Sequence, residues 1–163
     1  MNDCVDILKI LEKDGPMISR DKIAHMVGKS EEEVNAIIAG LEKENIIVGY
    51  KTMINWDVTD TELVNALIEL RITPQRGEGY DKFAERIYKY PQVKSLFLMS
   101  GAYDLCVILE GSSMKEVALF VAQKLAPMES VISTATHFVL KKYKEDGLVF
   151  YKDEKDTRQV ITL

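Results

Sequence analysis

The sequence predicts an α+β protein built as a winged helix-turn-helix followed by a βαββαβ unit, and three observations carry that expectation. Apolar residues recur at helical spacing up to Leu41. Strand-like alternation sets in at Ala66, and the polar stretch Thr59-Asp60-Thr61-Glu62 separates the two regimes. The expected boundaries are residues 1–57 for the helical part with its linker strand, 58–144 for the sheet-containing part and 145–163 for a C-terminal extension.

Val5, Ile7, Leu8 and Leu11 give the first helix its apolar pattern, and Gly15-Pro16 ends it because proline cannot continue a helix. Ser19 can cap a short second helix with Ile23, Ala24 and Val27 on one side, closed by a left-handed turn at Gly28. Ser30 opens a third helix with Glu33 three residues on, a capping box, and Val34, Ile37, Ile38 and Leu41 form one buried stripe. Short helix, glycine turn and capped helix together are the sequence form of helix-turn-helix. The β-branched run Ile46-Ile47-Val48 ahead of Gly49-Tyr50-Lys51 predicts a wing or linker strand.

In the second part, Ala66, Ile68, Leu70 and Ile72 alternate with Leu67, Glu69, Arg71 and Thr73 as a strand with one covered face should. Pro74 and Gly77-Glu78-Gly79 interrupt it. Tyr80, Phe83, Ala84, Ile87 and Tyr88 make an amphipathic helix ended by Pro91. Two strands, Val93 to Ser100 and Tyr103 to Leu109, then flank Gly101-Ala102 as a hairpin. Ser113 and Glu116 form a second capping box, with Val117, Ala118, Val121, Ala122 and Leu125 facing inward until Pro127, and Val131 to Leu140 is the last strand. The order is the ferredoxin-like split βαβ, in which both helices cover one face of an antiparallel sheet. Strands rich in Leu, Ile, Val and Phe on both sides require a cover for the other face, and a symmetric homodimer through the sheet is the simplest one. The tail from Glu145 carries Leu148, Val149, Phe150, Tyr151, Val160 and Ile161 among charges, which fits an edge strand or a mobile segment equally.

Composition narrows the function classes. With 47% hydrophobic and 29% charged residues the chain can bury a core. It has no run of about 18 apolar residues to span a membrane and no basic leader, so a cytoplasmic protein is expected. Cys4 and Cys106 lie far apart and read as free thiols. His25 and His137 have no neighbours that suggest a metal or a nucleophile relay, so no cofactor, metal site or enzyme activity is expected. Lys141-Lys142-Tyr143-Lys144 reads as a solvated strand end or a meeting point for an acidic partner. Trp56 reads as packing the two domains together or against a dimer mate. The net charge is −5 and falls mainly on residues 1–57, where seven Lys and Arg face eleven Asp and Glu.

A helix-turn-helix running through Ile46-Ile47-Val48-Gly49-Tyr50 into βαββαβ, with Ser100-Gly101-Ala102-Tyr103-Asp104 at the central hairpin, resembles the Lrp/AsnC feast/famine regulators from Val5 to Lys144. The resemblance implies a DNA-binding transcription regulator whose C-terminal RAM-type effector domain takes an amino acid or related small metabolite. It implies dimerisation through the C-terminal sheet, often with further assembly, so a tetramer or octamer is open. The chain departs from the family at the third helix. There the usual arginines are replaced by Asn35-Ala36-Ile37-Ile38-Ala39-Gly40 ahead of Leu41-Glu42, and Glu31, Glu32 and Glu33 crowd the first turn. These carboxylates favour the helix dipole and oppose phosphates.

The cations and neutral donors available to double-stranded DNA are Arg20, Lys22, Lys29, Ser30, Asn35, Lys43 and Lys51, each of which is otherwise ordinary solvated surface. Under the resemblance, Asp104 would meet an effector's ammonium group and the Gly101 and Ala102 N–H groups its carboxylate. Ser100 and Tyr103 would line the site, and Thr134 and Thr136 would add hydroxyls. The plain alternative is a hairpin glycine, a turn aspartate and β-prone threonines. Two rival functions stand beside the regulator: a ligand sensor or co-regulator that has lost DNA contact, and an enzyme resembling the siroheme decarboxylases, for which the histidines are wanting.

Overall fold

The computed structural model describes residues 2–73 and 79–151. The chain divides into two compact units, Met1–Ile54 and Asn55–Leu163.

In the first unit, helices α1 (Asn2–Asp14), α2 (Arg20–Val27) and α3 (Glu31–Lys43) pack on Ile7, Leu11, Ile23, Ala24, Val34 and Ile38. Gly28 takes φ 67° at the end of α2, in the left-handed region where a Cβ is penalised, and turns the chain towards Ser30. The capping box expected there is complete. Ser30 Oγ accepts from the Glu33 N–H at 3.1 Å, and Glu33 Oε2 accepts from the Ser30 N–H at 2.8 Å. Ser19 stands ahead of α2 as expected, but its side chain makes no capping hydrogen bond.

The strand expected at Ile46-Ile47-Val48 is not formed. A strand exists only through its ladder partner, and here the N–H groups of Ile46 and Ile47 both donate to the Leu41 carbonyl, at 2.9 and 3.1 Å. The β-branched run therefore closes the end of α3, with Ile47 packed against the three-helix core. Only a short 3-10 turn, Trp56–Val58, precedes the next regular element.

The second unit holds a four-stranded sheet in the order β2-β3-β1-β4, with every neighbouring pair antiparallel. The strands are β1 (Val64–Ile72), β2 (Val93–Leu98), β3 (Leu105–Gly111) and β4 (Val131–Phe138), and the helices are α4 (Gly79–Tyr88) and α5 (Met114–Phe120). Ala66, Ile68, Leu70 and Ile72 alternate inward as the sequence pattern requires. They meet Leu105, Val107 and Leu109 of β3, Phe83 and Ile87 of α4, and Val117 and Phe120 of α5. This is the expected ferredoxin-like βαββαβ arrangement.

Three local expectations change. The central hairpin turns through the six residues Met99 to Asp104 rather than through Gly101-Ala102 alone, because β2 ends at Leu98 and β3 begins at Leu105. At α5, Ser113 Oγ accepts from the Glu116 N–H at 3.1 Å. The Glu116 carboxylate, however, accepts from the N–H and hydroxyl of Ser112, so the second capping box is only half made. The helix then loosens into a π-helical turn at Val121–Leu125, which still buries Val121 and Leu125.

After β4, strands β5 (Lys144–Glu145) and β6 (Leu148–Val149) form a separate two-stranded hairpin, not an edge of the main sheet. Asp146 (φ 46°) and Gly147 (φ 81°) supply the two positive-φ residues that a tight hairpin turn needs. Lys141 Nζ lies 3.7 Å from the Tyr151 ring centroid, and Lys142 Nζ meets Glu145 at 2.6 Å, which places two lysines of the basic run within the chain's own contacts. Pro74, Gly77, Glu78, Val160 and Ile161 lie outside the described residues.

Candidate nucleic-acid interface and effector loop

One side of α3 is consumed by the core through Val34, Ile38 and Leu41. The opposite side is exposed and carries Glu32, Asn35, Ala36, Ala39 and Lys43. Its chemistry is short and close to neutral, with one carboxylate, one ammonium and one amide flanking two methyl groups.

Ahead of the helix, Ser30 is fixed by its capping box. Lys29 is fixed by an ion pair to Asp3 on α1, Nζ to Oδ2 at 2.9 Å. The hydrogen bond to Asp3 raises the Lys29 pKa, and the same bond lowers that of Asp3. Lys29 is therefore positioned beside α3 but already holds a carboxylate. Arg20 is half-buried at the start of α2, and its Nη1 is enclosed without a hydrogen-bond partner. Tyr50 donates to Glu42 Oε1 at 2.8 Å, and desolvation pushes its hydroxyl pKa up. Lys22, Lys43 and Lys51 are exposed. Lys29, Ser30 and Asn35 thus gather at the entrance and outer face of α3, while Arg20 is partly withdrawn.

At the hairpin, Ser100, Gly101 and Ala102 are exposed, and Gly101 takes φ 152°. Asp104 is the fixed point. Its N–H donates to the Leu70 carbonyl at 2.9 Å, and its carbonyl accepts from the Met99 N–H at 2.8 Å. Its Oδ2 accepts from the Ile72 N–H at 2.8 Å, and Oδ1 lies 3.4 Å from the Tyr80 hydroxyl, which donates to it. The carboxylate thereby locks the loop to the end of β1. Tyr80 was not among the expected site residues, since nothing in its helical spacing points to a partner 24 residues ahead.

Thr134 and Thr136 do share a face. Their strand partners are Leu70 and Ile68, on the far side of β1 from β3. Two strand spacings, about 9–10 Å, therefore separate them from Asp104 within one chain. The hydroxyls and the carboxylate do not converge in a single protomer. Of the histidines, His25 is exposed, and His137 Nε2 lies 3.3 Å from Glu69 Oε1.

A three-helix unit with a capped, outward-facing third helix, followed by an antiparallel βαββαβ unit, defines the architecture of a helix-turn-helix regulator with an appended sensing module. Comparison with known proteins gives the family. Residues 65–149 match the Lrp/AsnC ligand binding domain. An uncharacterised HTH-type transcriptional regulator of Bacillus subtilis, YugG, is 48% identical over 158 residues, covering 96% of this chain and 95% of that protein. The leucine-responsive regulatory protein of Haemophilus influenzae is 24% identical, covering 92% of this chain and 90% of its own length. A transcriptional regulator of Neisseria meningitidis solved with L-methionine superposes with a TM-score of 0.70 at 22% identity, over 89% of this chain and 92% of that one, a likeness of fold. The chain belongs to the Lrp/AsnC family, and its relatives are HTH-type transcriptional regulators. Among the described residues no helix is long and apolar enough to cross a membrane.

Proposed function

We propose that this chain is a transcription regulator that binds double-stranded DNA through α3 and the turn before it, as a symmetric assembly of identical chains. The observation that carries this reading is the outer face of α3. Asn35, Ala36 and Ala39 form a low, uncharged surface on a helix that is capped at its start and packed on the core through Val34, Ile38 and Leu41 on its other side. Asparagine has the donor and acceptor geometry to read an adenine edge, and alanine methyls suit close approach to a groove. Lys29, Ser30, Lys22, Lys43 and Lys51 supply phosphate contacts around it, with Arg20 in support. So few cations give weak binding per chain, which linked copies on adjacent half-sites multiply.

The effector is an amino acid or related small metabolite held at the hairpin loop between chains. Ser100, Gly101, Ala102 and Tyr103 form one wall, Asp104 sets the loop, and Thr134 and Thr136 come from a neighbouring copy. The Neisseria regulator with bound L-methionine supports that ligand class. Such a ligand acts by binding one arrangement of chains more tightly than another.

Gel-shift titration against the DNA upstream of the chain's own gene, at two salt concentrations, tests the reading. A shift is expected, and it weakens with salt by a log–log slope of about −0.9 per neutralised phosphate. Absence of a shift even at low salt contradicts it. Absence of a shift together with stabilisation by free amino acids favours the sensor that has lost DNA contact, a reading that the Lys29–Asp3 pair and exposed Glu31 and Glu32 motivate.

A further inference from the structure

The second unit contains a cavity of about 310 Å³ between α4 and the free edge strand β2. It is separate from the exposed part of the hairpin loop. Tyr80, Asp81, Ala84 and Tyr88 line it from the helix, and Leu96 and Leu98 from the strand. Its size lies at the lower end of small-molecule sites, and its walls are mostly aromatic and aliphatic, as such sites require.

The charges decide what class of ligand it takes. Lys94 borders the cavity, but its Nζ is held by Glu110 at 2.9 Å, so that ammonium is already neutralised. Asp81 also borders it and makes no ion pair among the described residues. With Lys94 paired to Glu110, the unpaired charge that the lining presents is the Asp81 carboxylate, beside two tyrosine rings. A carboxylate or phosphate would meet repulsion there. A cation gains both the carboxylate and the electron-rich ring faces.

We infer that the α4–β2 cavity is a second ligand site, for a small organic amine with a compact apolar body. The ammonium group meets Asp81, and the body lies against Ala84, Leu96 and Leu98. Tyr80 connects this site to the hairpin, because the ring that lines the cavity carries the hydroxyl that donates to Asp104 at 3.4 Å. Filling the cavity therefore acts on the residue that locks the loop to β1. The connection alone rests on the loop being the effector loop; the site does not.

Amide-resolved NMR titration of the full chain with 2-phenylethylamine, and separately with 3-phenylpropanoate, tests the inference without DNA or an amino-acid effector. Saturable shifts at Tyr80, Ala84 and Leu96 are expected with the amine and none with the acid. Asp81→Asn, an exposed position that leaves the fold intact, should weaken the amine by about tenfold. Ala84→Leu, which fills the cavity and leaves the charge, should weaken it as well. No saturable shift, equal binding of the acid, or an unchanged affinity in Asp81→Asn each overturns the site. Tyr80→Phe, which removes only the hydroxyl that reaches Asp104, should lose the shifts at Gly101 and Ala102 that accompany amine binding in the wild type. Retention of those shifts overturns the connection while leaving the site standing.

Discussion

The pairing of Lys29 with Asp3 sets how the turn before α3 responds to pH. Asp3 titrates below its ordinary value of 3.8 and Lys29 above its ordinary 10.5, each because of the other. The bond holds while both are charged. It is lost on the acid side as pH falls through the depressed Asp3 pKa, and on the basic side as pH rises through the elevated Lys29 pKa. Replacing Lys29 by Met should return the Asp3 carboxyl titration, followed by carbon NMR, towards 3.8. A midpoint that stays put would mean the pair does not form in solution. The two thiols offer a second check at this scale. Burial pushes the Cys106 thiol pKa up, with Tyr103 acting in the opposite direction, whereas Cys4 is exposed. A thiol-specific reagent should modify Cys4 promptly in the native protein and Cys106 only after denaturation. Equal rates would contradict the packing around β3.

Among the elements, α3 depends most on a signal within its own sequence. Removing the Ser30 hydroxyl with Ser30→Ala should cost about 1 kcal/mol of stability in a urea melt, since the Glu33 N–H loses its acceptor. A melt identical to wild type would show that the cap is replaced by water. The same box was legible in the sequence because cap, helix and apolar stripe lie within a dozen residues. So was β1, whose alternation from Ala66 to Ile72 reports one buried face. Failures arose where the deciding partner is distant or unread. Ile46-Ile47-Val48 has strand propensity, but propensity without a ladder partner yields to the free carbonyl of Leu41. The loop around Gly101 is longer than its glycine suggests because Asp104 bonds to Ile72, 32 residues earlier. The β5–β6 hairpin carried a local signal after all, in Asp146-Gly147, which alternating charges in the tail obscured. The candidate DNA residues were legible as residue types. Their differing availability was not, since the salt bridge on Lys29 and the enclosure of Arg20 follow from helix packing.

At the scale of the whole molecule, the proposed homodimer rests on the sheet face turned away from α4 and α5. Register places Leu67, Cys106, Ile108 and Ala135 on it, with Phe97 beside Cys106 on the edge strand and 52% exposed. Glu69 with His137 and Lys94 with Glu110 pair among themselves around that strip. The face is thus an apolar band flanked by polar and charged side chains, Arg71 among them, and less uniformly greasy than the strand composition suggests. Such a band suits a self-complementary contact about a two-fold axis, where one patch serves both copies. A dimer formed this way also carries two copies of α3 and two hairpin loops, which the proposed DNA and effector sites both need. Sedimentation equilibrium of the purified chain at micromolar concentration is the most direct measurement: the mass of a dimer or a larger even-numbered assembly is predicted, and a folded particle with the mass of one chain would contradict the account.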